Sequence, residues 1–240
     1  MNKIFEEKRY IEIDDCDLNF NMKISEMIKI AEQTSMHHAT KFNLGKAETF
    51  DKGFGWIVSR IKLDIKKFPT YGETLTIKTK AFPVLKTLYP RKVYFFNSKK
   101  EELVSITMLW HLLDYKNGTL TELPSKENYY VDEEFSLSDF PRSIKIENEN
   151  FEYVASKVVT YMDMDFNKHL NNIKYIEYSL GKEPSSFNGT SKIKSVIFQF
   201  VEQVKENEEI IFLKQKQDNG AIKYIGKKKD KIVFKMEATF

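Results

Sequence analysis

The strongest constraint on the fold of this chain is that its second half can be laid over its first. Asp17-Leu18-Asn19-Phe20-Asn21-Met22-Lys23-Ile24 aligns with Asp163-Met164-Asp165-Phe166-Asn167-Lys168-His169-Leu170. Each copy runs into a segment whose apolar residues return every three or four positions: Ile24, Met27, Ile28 and Ala31 in one, Leu170, Ile173, Ile176 and Leu180 in the other. That period is helical. Farther on, Ile61-Lys62-Leu63-Asp64-Ile65, followed by Gly72-Glu73-Thr74-Leu75, aligns with Val196-Ile197-Phe198-Gln199-Phe200, followed by Asn207-Glu208-Glu209-Ile210. The first copy alternates with period two, as half-buried strands do, and the second is more apolar, as a more buried strand would be. A third pair, Lys99-Lys100-Glu101-Glu102-Leu103-Val104 and Lys228-Lys229-Asp230-Lys231-Ile232-Val233, puts a charged turn before a strand in each half. Three matches in the same order indicate duplication.

Each half therefore predicts a strand, one main helix and several antiparallel strands, with hairpin turns at Asn117-Gly118 and Asn219-Gly220. Asn117 and Asn188 also begin Asn-Gly-Thr glycosylation sequons, but with no secretory signal in view the turn reading is preferred. A helix followed by a run of strands is an α+β unit in which a curved sheet wraps the helix, and two in tandem make a pseudo-dimer. The segment from about 129 to 150 is acidic, carries Pro141 and keeps no period, so it reads as a linker. The expected division is residues 1–128, linker 129–150 and residues 151–240.

Bulk composition narrows the function classes. With 41% apolar and 14% aromatic residues the chain can fill a core, and nowhere does it offer an uninterrupted apolar run long enough for a membrane helix. The opening residues are charged throughout, which implies a cytoplasmic protein. One cysteine, Cys16, allows neither an intrachain disulfide nor a cysteine metal cluster, and its neighbours Asp14, Asp15 and Asp17 disfavour a thiolate. A net charge of +3 from 38 basic and 35 acidic residues gives no polyanion signal, and Lys227-Lys228-Lys229-Asp230-Lys231 reads as a solvated hairpin turn. There is no Walker loop, no dinucleotide glycine fingerprint and no metal-spaced histidine pair, so no cofactor or metal is expected.

The candidate chemistry lies in Asp165, Asn167 and His169. In the alignment above, Asn19 stands for Asp165 and Lys23 for His169, and only Asn167 is kept, as Asn21. A repeat that diverges here while keeping its apolar frame suggests that one half holds a site and the other a scaffold. The plainer alternative is that Asp165 or Asn167 caps the following helix, but capping does not call for a histidine. Histidine moves protons near neutrality, a carboxylate and an amide can hold it or a water, and a helix start offers N–H groups and a positive dipole end to an oxyanion. Together these describe hydrolysis of an activated acyl group. His37 and His38 are adjacent and read as packing or surface residues, and His111, in a strand-like run, reads as structural.

The stretch Asp163 to Tyr175 closely resembles the D-x-D-x-N-x-H-x-N-N-x-K-Y signature of the acyl-ACP thioesterases of plants and bacteria. Shorter likenesses lie in Glu32-Gln33-Thr34-Ser35-Met36-His37-His38, in Trp56-Ile57-Val58-Ser59-Arg60 and in Phe68-Pro69-Thr70-Tyr71-Gly72-Glu73. The resemblance implies a tandem (double) hot-dog fold with the catalytic residues in the C-terminal half and an acyl tunnel bounded mainly by the N-terminal half. It implies hydrolysis of fatty acyl-[acyl-carrier-protein], with Asp165 and His169 orienting and deprotonating water, Asn167 positioning the water or the carbonyl, and either Asp165 or His169 taking the proton. Where the family has a glutamate after the second-half strand, followed in plants by a cysteine, this chain has Gln203 and Val204, with Glu202 adjacent. Gln203 could hydrogen-bond a water but not act as a base, and a one-residue slip bringing in Glu202 would turn it to the other strand face. Without that cysteine, direct attack by water is favoured. Acyl carrier protein is acidic, so a basic patch including Arg91, Lys92 and Lys80 at the tunnel mouth would favour it as partner. Acyl-CoA thioesterase activity, a hot-dog dehydratase and a non-catalytic acyl-binding module are the rivals, and the likeness favours a homodimer over a monomer.

Overall fold

The computed structural model describes residues 3–123, 130–131, 133–147, 150–181 and 193–240. The chain enters with β1 (Ile4–Tyr10), then α1 (Ile24–Lys41), β2 (Phe54–Ile65), β3 (Thr74–Ala81), β4 (Tyr89–Phe96), β5 (Glu102–Asp114) and the short β6 (Thr119–Thr121). The second half repeats this with β7 (Glu152–Val158), α2 (Asn172–Leu180), β8 (Ser195–Phe200), β9 (Glu209–Lys216), β10 (Ile222–Lys228) and β11 (Lys231–Thr239). All pairings are antiparallel in one sheet of order β1-β3-β4-β5-β2-β8-β11-β10-β9-β7, with β6 on β5. Read from either end, the order is the same up to the central β2–β8 pair, where Arg60 lies opposite Gln199 and Leu63 opposite Val196. This is the α+β tandem hot-dog architecture.

The periodicities explain the elements. On α1, Ile24, Met27, Ile28 and Ala31 are buried, with the helix packed on β3 and β4, and Lys29, Gln33 and His37 face out. In β2 and β3 alternate residues are buried, Ile61, Leu63 and Ile65, then Leu75, Ile77 and Thr79. The two helices contact one another across the junction of the halves. Gly118 and Gly220 take positive φ of 65° and 83° at the two Asn-Gly turns, a backbone that glycine adopts without penalty. Asn188 lies outside the described residues.

The duplication appears in the backbone hydrogen bonds. Ile11 N–H donates to Glu73 and Gly72 N–H to Ile11, as Val159 does to Glu208 and Asn207 to Val159. Gly72 thus corresponds to Asn207, and the left-handed Lys100 to Lys229, as the sequence alignment has them. The first repeat is different: Cys16 bridges Met22 where Met164 bridges Leu170, so Asp17 corresponds to Asp165, Asn19 to Asn167 and Asn21 to His169. The alignment of Asp17 with Asp163 was two residues out. It matched Phe20 with Phe166 by identity, whereas the left-handed backbone places Phe20 (φ 60°) with Lys168 (φ 63°).

Among its described residues the connecting segment has no long element, and it packs as a strap across the sheet. Val131 and Phe135 join Phe82 and Leu109 in a small apolar cluster. Arg60 donates to the Pro141 carbonyl, Ile144 N–H donates to Gln199, and Lys235 donates to the Ile144 carbonyl. These bonds tie the strap to strands of both halves. No helix among the described residues is long and apolar enough to cross a membrane.

Candidate active site

Each half turns from its first strand toward its helix through a short 3-10 segment and a tight loop. In the second half Thr160 and Asp163 cap each other's backbone, and burial, which alone would raise the Asp163 carboxyl, is overcome by bonds from Tyr178 and Thr160 that hold it at about 2. Asp165 follows. Its Oδ1 accepts the backbone N–H groups of Asn167 at 2.8 Å and His169 at 3.2 Å, and Asn167 Nδ2 donates to Oδ2 at 3.3 Å. Asp17 makes the same two backbone bonds, to Asn19 at 2.8 Å and Asn21 at 3.0 Å. The aspartate and the asparagine are therefore common to both halves, and the divergence inferred from the sequence at Asp165 is withdrawn. The loop differs in its polar residues at His169, which has Asn21 opposite it in the repeat, and at Lys168, which has Phe20. Neither Asp165 nor Asn167 caps α2; Asn171 does, accepting the Ile173 N–H at 2.9 Å.

The loop projects into a cavity of about 720 Å³ whose wall includes Asp165, Asn167, His169 and Gln203. Burial pushes the His169 imidazole below its ordinary value, with the Asp165 carboxylate partly opposing, so at neutral pH it is uncharged and can accept a proton. Its Nδ1 is enclosed without a partner among the described residues. Gln203 is exposed, and its backbone carbonyl accepts a bond from Lys228 Nζ. Glu202 lines the same cavity and is paired with Lys228 at 3.1 Å. The expectation that a one-residue slip would turn Glu202 away fails because β8 ends at Phe200, and beyond a strand the alternation of faces no longer applies.

The N-terminal half supplies much of the remaining wall, including parts that the sequence reading missed. Tyr115, just past β5, donates its hydroxyl to Asn167 Oδ1. It lies over Gly55, where a Cβ would stand 1.9 Å from that hydroxyl, so any side chain at 55 displaces the tyrosine. Phe50 packs edge-on against Phe166 at 4.6 Å. A bulge in β2 between Val58 and Arg60 turns Ser59 into the cavity, where its hydroxyl lies 2.9 Å from His111 Nε2. His111 is thus a cavity residue and not only a structural one. Glu32, on α1, also lines the cavity, and Asn172 hydrogen-bonds its carboxylate. The signal for Glu32 was present: it stands between Ile28 and Met36 on one i, i+4 row of the helix.

The cavity draws its wall from both halves, with Asp165, Asn167, His169 and Gln203 from residues 151–240 and residues such as Trp56 and Trp110 from the N-terminal half. One expectation changes: the basic patch does not form. Arg91 is 5% exposed and contacts His38 and Thr79, while Lys80 and Lys92 pair with Glu133 and Asp139 of the strap. His38 is buried against Arg91 and His37 pairs with Glu7, which fits the packing and surface roles expected of them. Among the described residues no group of three or more His, Cys, Asp or Glu side chains is placed to hold a metal ion.

The acyl-ACP thioesterase N-terminal domain description matches residues 2–126, and the acyl-ACP thioesterase C-terminal domain description matches residues 146–239. The chain belongs to the acyl-ACP thioesterase family. A palmitoyl-acyl carrier protein thioesterase of Arabidopsis thaliana chloroplasts is 25% identical over 183 residues, covering 70% of this chain and 44% of that protein. The chain spans about half the length of the plant relatives it matches. Among solved structures, an acyl-ACP thioesterase from Bacteroides thetaiotaomicron superposes with a TM-score of 0.89 at 20% identity, covering 99% of this chain and 98% of that one. A 12:0-ACP thioesterase from Umbellularia californica gives 0.87 at 16% identity, covering 100% and 97%. At such identities the superpositions establish the fold.

Proposed function

We propose that this chain hydrolyses fatty acyl thioesters carried on acyl carrier protein, releasing the free fatty acid and the carrier thiol. The observation that carries the reading is the meeting, in one 720 Å³ cavity, of an uncharged histidine with an apolar wall that includes Trp56, Trp110 and Phe200. The apolar wall suits an alkyl chain, and the loop Asp165-Asn167-His169 suits the ester end. In this reading Asp165 fixes the loop, Asn167, steadied by Tyr115, positions the thioester carbonyl, and His169 and Gln203 hold the attacking water. The water loses a proton as it attacks, and the uncharged His169 imidazole is one group able to accept it.

The division of labour is part of the proposal: residues 1–128 receive the chain, 129–150 connect, and 151–240 contribute the reacting loop, with Tyr115 and Glu32 reaching across. Acyl carrier protein as partner rests on the relatives being acyl carrier protein thioesterases, because Arg91, Lys80 and Lys92 do not form an open docking patch. A cytoplasmic, reducing setting suits a chain whose one cysteine, Cys16, is buried and has its thiol pushed up by that burial and by Asp15 and Asp17. A homodimer of these two-unit chains is proposed as well and is measured by sedimentation. The test of activity is thiol release from matched acyl-ACP and acyl-CoA substrates. Hydrolysis of acyl-ACP supports the reading, equal rates on both carriers shift it to a general acyl thioesterase, and no hydrolysis of either defeats it.

A further inference from the structure

We infer that Glu32 is a further catalytic residue: its carboxylate, reaching from the N-terminal half, takes the proton of the attacking water. The inference deepens the hydrolase reading and rests on it.

The other cavity carboxylates are committed. Asp165 holds two backbone N–H groups on one oxygen and the Asn167 amide on the other, and Asp17 does the same scaffold work in the half without the histidine. Glu202 is neutralised by Lys228 at 3.1 Å, and Gln203 carries no ionisable proton. Glu32 differs from all of these. Its Oε1 is enclosed with no partner among the described residues, and its side chain receives the Asn172 amide from the start of α2, in the opposite half. On α1 it stands in line with Ile28 and Met36, a row in which an apolar residue would serve packing better. A buried acceptor left without a partner is costly and calls for a reason. Proton transfer at the cavity wall supplies one.

The electrostatics agree. Burial raises the Glu32 carboxyl, the Asn172 bond opposes this and the Asp165 charge adds to it, which brings the group to about 7. Glu32 is half-buried and lines the cavity wall. The titratable groups that share the cavity are Asp165, His169, His111, Tyr175 and Glu202. A base titrating near the working pH can both accept and return a proton.

The step balances. As the water oxygen bonds to the thioester carbon, the carbonyl pair moves onto oxygen and the water proton passes to Glu32. When that pair returns, the carbon–sulfur bond breaks, its electrons leave on sulfur, and Glu32 gives the proton to the thiolate. Water and thioester become acid and thiol, and the carboxylate is restored.

The test is the pH dependence of kcat and KM for one acyl-ACP with the wild type, Glu32→Gln and Glu32→Asp, each checked for folding by thermal melting. Support is a folded Glu32→Gln chain whose kcat falls about 100-fold or more with KM little changed, and which loses the rising limb near pH 7. Glu32→Asp should recover part of the rate and keep an ionisation. A Glu32→Gln chain with wild-type kcat and an unchanged profile overturns the proposal and leaves the hydrolase reading standing. A wild type inactive on both acyl-ACP and acyl-CoA overturns both.

Discussion

Asp17 and Asp165 offer an internal control, because the same carboxylate geometry occurs with and without the histidine. Replacing Asp17 by alanine removes the acceptor of two backbone N–H groups, at 2.8 Å and 3.0 Å. Replacing Asp165 removes the same two bonds, at 2.8 Å and 3.2 Å, and a weaker one from the Asn167 amide. A hydrogen bond to a charged group contributes about 1.5–3 kcal/mol when enclosed. Both loops are half-open to water, which can take over the freed N–H groups, so each substitution should cost about 2 kcal/mol in all. For a chain of this size that is a fall in Tm of roughly 4–8 °C. Thermal melting should give nearly the same fall for Asp17→Ala and Asp165→Ala. Activity should separate them: Asp17→Ala keeps the wild-type rate per folded molecule, while Asp165→Ala loses it because the His169 backbone is released. Equal loss of activity in both, or an unchanged Tm in Asp17→Ala, would refute the claim that these carboxylates are loop fasteners.

Three other outcomes are expected. Glu32 titrates at 4.5 when unfolded and about 7 when folded, so the folded state holds its proton more tightly; stability declines as pH rises through that window. Glu32→Gln should therefore melt higher than wild type at pH 8, by up to about 3 kcal/mol, with the gain vanishing at pH 4; chemical denaturation at both pH values checks this. Tyr115→Phe removes the hydroxyl that fastens Asn167 and should lower kcat about tenfold with a stability change under about 1 kcal/mol, read from steady-state kinetics and melting. Met36, with Trp56 and Trp110, lines both the main cavity and a second, small space of about 20 Å³ in the N-terminal half, so Met36→Ala should shift preference toward longer acyl chains in a competition assay.

The fold was largely legible because the duplication is written in period and order. The helical spacing of Ile24, Met27, Ile28 and Ala31, the alternation of β2 and the Asn-Gly turns each carry a local signal that the sheet then uses. The two-residue slip at Asp17 arose because residue identity was followed where backbone shape decides: a left-handed residue can be phenylalanine in one copy and lysine in the other. The loop Asp165-Asn167-His169 stood out as a motif, yet its recurrence did not: Asp17 accepts the same backbone N–H groups in the half that has Asn21 in place of the histidine. Tyr115 and Ser59 were invisible because long-range pairing and a bulge aim them, and neither leaves a local mark. The basic patch failed for a similar reason: the Arg91 side chain turns inward and the strap covers Lys80 and Lys92. Glu32, a carboxylate in an apolar row, was the one unread signal.

The most direct test of the account is thiol release by the whole chain, wild type against His169→Ala, on acyl-ACP and acyl-CoA of the same chain length. The account predicts hydrolysis of acyl-ACP by the wild type and a fall of about 100-fold or more in a His169→Ala chain that melts at the wild-type temperature. A His169→Ala chain that hydrolyses acyl-ACP at the wild-type rate would contradict it.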